Sequence, residues 1–167
     1  MPLTIQRALW VTESPTAFGV YTPRSDNIFD ANAPMQIYAE PMGFGWRKSG
    51  DLWHAELGAD LVLRKQDGAE LYRQRDFQKV GVDSWVRNRE FIMTFTYIFR
   101  NVPKGEYLVD TILRDAVKGK AVTSRCPLWF AEAPSSAGGG CRWQPLTDGT
   151  GRTRVRPVSL GSYQVAK

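Results

Sequence analysis

Residues 91–99 place Phe91, Met93, Phe95, Tyr97 and Phe99 on one side of an extended chain and Ile92, Thr94, Thr96 and Ile98 on the other. A strand turns successive side chains to opposite faces, so this period of two fits a central strand and excludes a helix. Its aromatic and β-branched content agrees. The same alternation runs through Met35, Ile37 and Ala39, and through Ala55, Leu57, Ala59, Leu61 and Leu63. Residues 107–114 and 121–130 read as two more strands. Residues 18–22 and 71–77 are weaker, and the second is polar enough for a sheet edge. Pro23-Arg24-Ser25-Asp26-Asn27, Gln66-Asp67-Gly68, Pro103-Lys104-Gly105 and Lys118-Gly119-Lys120 separate these runs with residues that reverse a chain. No long segment repeats its apolar residues at three and four. The pattern predicts an all-β, antiparallel β-sandwich of about seven strands.

At 167 residues the chain is long enough for one domain with a core of its own. A hydrophobic content of 43% excludes a wholly disordered polypeptide. No apolar run reaches the roughly 18 residues of a membrane span. Residues 1–16 form a leader that can add an edge strand, and residues 17–133 form the sandwich. Residues 134–167 open with the Gly/Ser linker Pro134-Ser135-Ser136-Ala137-Gly138-Gly139-Gly140 and continue as a basic tail expected to be flexible. The charge divides at the same place. Arg142, Arg152, Arg154, Arg156 and Lys167 against Asp148 alone put +4 of the net +5 in the tail, leaving +1 for residues 1–133. A folded nucleic-acid binder carries its basic excess on the domain, so nucleic acid is not favoured as a partner.

Cys126, Cys141 and the single His54 lack the paired ligand spacings of a structural zinc site, and neither a metal nor a cofactor is expected. The two cysteines are either independent thiols, the preferred reading, or a disulfide. Residues 1–11 hold one basic residue and no long apolar stretch, so no signal peptide is visible.

Pro103-Lys104-Gly105-Glu106-Tyr107-Leu108-Val109, followed by Asp115 and Gly119-Lys120, resembles the last hairpin of bacterial immunoglobulin-like or fibronectin-III-like domains. The segment Tyr21-Thr22-Pro23-Arg24, Phe29, Ile37-Tyr38-Ala39-Glu40-Pro41 and Gly43-Phe44-Gly45-Trp46 is similar to bacterial, extracytoplasmic proteins built on such a domain. The resemblance covers residues 17–131. It implies an immunoglobulin-like sandwich in a periplasmic or secreted protein, with binding or structural roles and no catalytic residues to carry over. Tyr107 then reads as a tyrosine corner, its hydroxyl bonded back to the backbone.

Catalytic constellations are absent from the sequence. It has no Gly-x-Ser-x-Gly elbow, no His-Glu-x-x-His and no phosphate-binding loop. Gly43-Phe44-Gly45 is followed by Lys48 where a dinucleotide fingerprint needs glycine. His54 neighbours an alternating strand and reads as a packed or solvent-facing histidine. The expectation is therefore a protein that is not an enzyme.

Immunoglobulin strand order would gather residues 43–52, 80–90 and 116–120 at one end. Arg47, Lys48, Arg87, Arg89, Lys118 and Lys120 outnumber Asp51, Asp83 and Glu90 there, giving +3, whereas the opposite end carries −1. Phe44, Trp46, Arg47, Trp85, Arg87, Arg89 and Lys118 are thus candidate ligand-binding residues on loops of a rigid scaffold. The favoured alternative for Trp46 and Trp85 is that each folds back to cap the core. Residues 87–90 can equally be a solvated connection. The expected function is a non-catalytic binding or adhesion-type module engaging a protein or a glycan. The alternative is a structural spacer or assembly domain that uses sheet faces or edge strands.

Overall fold

The computed structural model describes residues 1–30 and 32–131, and among them are nine strands and no helix. The strands are β1 (Thr4–Val11), β2 (Ile28–Phe29), β3 (Met35–Met42), β4 (Arg47–Ser49), β5 (Leu52–Lys65), β6 (Glu70–Ser84), β7 (Met93–Tyr97), β8 (Gly105–Asp115) and β9 (Lys120–Phe130). The linker and tail from Pro134, with Cys141, lie outside the described residues. β1, β3 and β7 form one antiparallel sheet in the order β1-β3-β7. The other sheet has six strands in the order β2-β9-β8-β5-β4, with β6 also paired to β5. β6 and β8 both pair with residues 57–64 of β5, so they occupy its two opposite edges. The small β4 continues the β8 edge, pairing with Leu52 to His54.

The alternation read from the sequence sets the inner faces. Ala55, Leu57, Ala59, Leu61 and Leu63 of β5 meet Met35, Ile37 and Ala39 of β3 and Phe91, Met93, Phe95, Tyr97 and Phe99 around β7 in one buried core. Burying one such large apolar side chain stabilises the fold by about 1.5–3 kcal/mol relative to leaving it in water. Tyr97 stands at the centre, 1% exposed, with Phe77, Phe95, Phe99 and Trp10 around its ring. Cys126 is a free, buried thiol of this core, and burial pushes its pKa up.

Two strand expectations are corrected. Residues 18–22 form no strand; they are a turn with an isolated Ala17–Val20 bridge, and Gly19 has φ +73°. The segment covers the outer face of the three-stranded sheet, where Phe18 and Tyr21 pack on Val11, Tyr38 and Ile92. Its Gly19 N–H donates to the Tyr38 hydroxyl at 2.9 Å rather than to a ladder. Side-chain burial and one hydroxyl acceptor replace strand pairing there. The first sheet instead takes its third strand from the leader, as β1 at its edge. The count also rises from about seven to nine, because short β2 and β4 add to the six-stranded sheet.

β6 is far longer than residues 71–77. It bulges at Asp76, which has φ +50°, and the register steps from Gln78 opposite Ala59 to Gln74 opposite Leu61. Asp60 explains the bulge: it accepts the Asp76 N–H at 2.7 Å and pairs with Arg114 at 2.8 Å. A bulge with flanking charges also blunts an edge against unwanted pairing. On the same outer face, Asp110 is 2% exposed and receives Nε of Arg125 and of Arg64. The Arg125 bond is the main cause that holds its carboxyl below the usual carboxylate range.

Tyr107, at the start of β8, donates its hydroxyl to the Pro103 carbonyl at 2.9 Å. Tyr107→Phe is therefore expected to lower unfolding free energy by about 0.5–1.5 kcal/mol. Chemical denaturation measures this, and an unchanged midpoint would mean that the bond contributes nothing.

Candidate functional site

Three connections meet at one end of the molecule: residues 43–46 between β3 and β4, 85–92 between β6 and β7, and 116–119 between β8 and β9. The first and third are tied together through backbone groups. Asp115, 2% exposed at the end of β8, accepts the Val117 and Lys118 N–H groups on Oδ1 and the Gly45 N–H on Oδ2, the last at 2.6 Å. Lys118 Nζ reaches back to donate to the Gly43 carbonyl at 2.9 Å. Gly45 admits this approach, since a Cβ there would lie 2.8 Å from both the Val117 and Lys118 side chains. Gly43 has φ +73°, and a side chain on it would run into the Pro2 carbonyl oxygen.

The result is an open cleft of about 440 Å³, floored by Phe44 and Trp46 and walled by Arg87, Asn88, Arg89 and Lys118. Among the described residues no carboxylate lines it. Three cations beside an aromatic floor can hold an acid group while a flat apolar surface rests on the rings. A second hollow of about 330 Å³, lined in part by the β8–β9 turn, differs in charge. Its Lys79, Arg114 and Lys120 sit among Glu56, Asp76 and Asp115, and Arg114 is already paired with Asp60 and Asp76.

The candidate residues divide by position. Phe44 is 7% exposed and packs on Phe91 and Trp46, with ring centroids 5.4 and 5.5 Å away, so it is part of the core as well as the cleft floor. Trp46 is half-buried against that core, in the capping position. Trp85 caps nothing: it is 74% exposed, which overturns the capping expectation for this residue. Phe44 and Phe91 already close this end of the core. The Ser84 hydroxyl accepts the Val86 N–H and the Asn88 side-chain amide, turning the chain outward. Arg47 is exposed on β4 and, like Trp85, stands outside the cleft lining. His54 has Nδ1 2.8 Å from Asp83 Oδ1, a partner that orients its ring.

Trp53 was not singled out from the sequence, yet it organises the wall. The Arg87 guanidinium lies 4.9 Å and the Lys48 ammonium 5.3 Å from its ring centroids. Such cation–π contacts hold Arg87 at the cleft rim. The available signal was Gly50-Asp51, a two-residue hairpin turn that sets Lys48 opposite Trp53. Among the described residues no group of three or more His, Cys, Asp or Glu could hold a metal ion. Among the same residues no helix is long and apolar enough to cross a membrane. In comparisons with known proteins, neither a family model nor any curated protein matches this chain.

Proposed function

We propose that the chain is a non-catalytic binding module that engages an acidic partner, either an anionic glycan or an acidic protein surface, through the cleft at its loop end. The observation that carries this reading is the cleft lining: Arg87, Arg89 and Lys118 around Phe44 and Trp46, with no carboxylate among them. Its volume of about 440 Å³ lies within the range of small-ligand pockets. The finer fold reading is an immunoglobulin-like, fibronectin-III-like sandwich. It is supported by the facing orders β1-β3-β7 and β9-β8-β5-β6, which correspond to strands A-B-E and G-F-C-C′. The Tyr107 bond to Pro103 supports it too. The extracytoplasmic setting implied by the resemblance would bring such a module into contact with acidic polymers. The alternative, an assembly domain, is favoured by the long β6 edge, although the Asp76 bulge and its charges work against simple strand addition.

Affinity electrophoresis against polygalacturonate, hyaluronate and heparin tests the reading. Arg87→Ala combined with Arg89→Ala is expected to weaken binding about tenfold at physiological salt and to flatten its salt dependence. Trp46→Ala, with folding checked by near-ultraviolet circular dichroism, should weaken binding at every salt concentration. If replacing Arg152, Arg154 and Arg156 by glutamine abolishes binding while the cleft variants keep it, the tail is the binder and the cleft reading fails.

A further inference from the structure

Trp85 and Val86 are consecutive, 74% and 61% exposed, and sit at the turn where the chain leaves β6. They stand outside the cleft lining, so the proposed ligand does not explain them. Exposing an indole and an adjacent isopropyl group to water is unfavourable, and such a tip marks a surface that is covered in use. Three observations bear on what covers it. The loop is held rather than loose: Ser84 Oγ accepts from Val86 N and from Asn88 Nδ2, and Arg87 stacks over Trp53. Both backbone groups of Val86 are taken up within the loop, its N–H donating to Ser84 Oγ and its carbonyl accepting the Asn88 N–H at 3.1 Å. Cations outnumber carboxylates in this segment and on β4, with Arg87, Arg89, Arg47 and Lys48 against Glu90, Asp51 and Asp83.

We propose that Trp85 and Val86 form an insertion tip by which this end of the molecule docks on an anionic lipid bilayer. The internally bonded Val86 backbone suits this occupant: an acyl region offers no hydrogen-bond partner, so a residue that enters it does best with its polar groups already taken up. Tryptophan settles at the membrane–water interface, and arginine and lysine beside it meet acidic headgroups. An apolar insertion too small to hold alone, joined to a basic rim, is a two-signal arrangement for reversible binding. The inference goes beyond the cleft reading and does not depend on it.

The test uses the full chain with vesicles of phosphatidylcholine and phosphatidylglycerol, and of phosphatidylcholine alone. Binding is expected to the mixed vesicles only, weakening as salt rises. Trp85→Ser combined with Val86→Ser should lower that binding at least about tenfold. Acyl chains brominated in the mixed vesicles should quench part of the wild-type emission, and Trp85→Phe should remove that part while binding persists. The same quenching should survive replacement of Arg152, Arg154 and Arg156 by glutamine. Wild-type protein that ignores the mixed vesicles, binding unaffected by the tip substitutions, or quenching unchanged in Trp85→Phe would each overturn the proposal. The tip double variant is also run on the acidic polysaccharides. Retained binding there shows an intact cleft, which separates failure of the tip from failure of the cleft.

Discussion

Tyr97→Ala is expected to lower the unfolding free energy by about 4 kcal/mol, in the range of roughly 3–5 kcal/mol for truncating a large buried aromatic. The residue is 1% exposed and its ring is shared between the sheets: Phe95 and Phe99 are its neighbours around β7, while Phe77 comes from β6 and Trp10 from β1. Removal empties the centre of the core, and a close-packed interior relaxes only in part to refill it. The hydroxyl adds a second cost, because it lies 2.8 Å from Thr111 Oγ1 in a buried pair. Tyr97→Phe isolates that cost and should lose about 1 kcal/mol. Thermal and urea unfolding measure both, and the alanine variant should melt on the order of 10 °C lower. A loss below about 1 kcal/mol for alanine would mean that the sheets do not share this core.

Asp115→Ala carries the second large effect, and its signature differs. The buried carboxylate accepts three backbone N–H groups, two within the β8–β9 turn and one from Gly45 across the cleft base. Orphaned buried donors cost about 1–3 kcal/mol each, and partial access of water to an opened turn brings the expected total to about 3 kcal/mol. Unlike the core substitution, this one unties two of the three cleft loops. Amide exchange at Gly45 should accelerate well beyond the global change, and polysaccharide binding should fall even under conditions where the variant stays folded. Asp115→Asn keeps one carbonyl oxygen and should fall between alanine and the native chain. Uniform exchange across the molecule would show that Asp115 is a stability element without a role in loop placement.

The faces of the strands were legible in the residues, and so was the all-β class. The inward positions of β5 and those around β7 follow from alternation alone, because a pleated strand separates neighbours whatever it pairs with. Tyr107 was readable for a similar reason: its partner is four residues away, within the reach of a local motif. Residues 18–22 misled because they are apolar in a strand-like way, and what they bury lies on a sheet formed elsewhere in the chain. Trp85 misled because an indole is usually inside; nothing local shows that Phe44 and Phe91 already close the end of the core it would have capped. The cleft belongs to the tertiary structure. Gly45 meets an acceptor seventy residues away, and Arg87 meets Trp53 across two strands, contacts that exist only once every register between them is set. Alternation is enforced residue by residue through burial, and so it is written locally. Loop convergence is enforced by the summed pairing of strands far apart in the chain, and no local segment carries it.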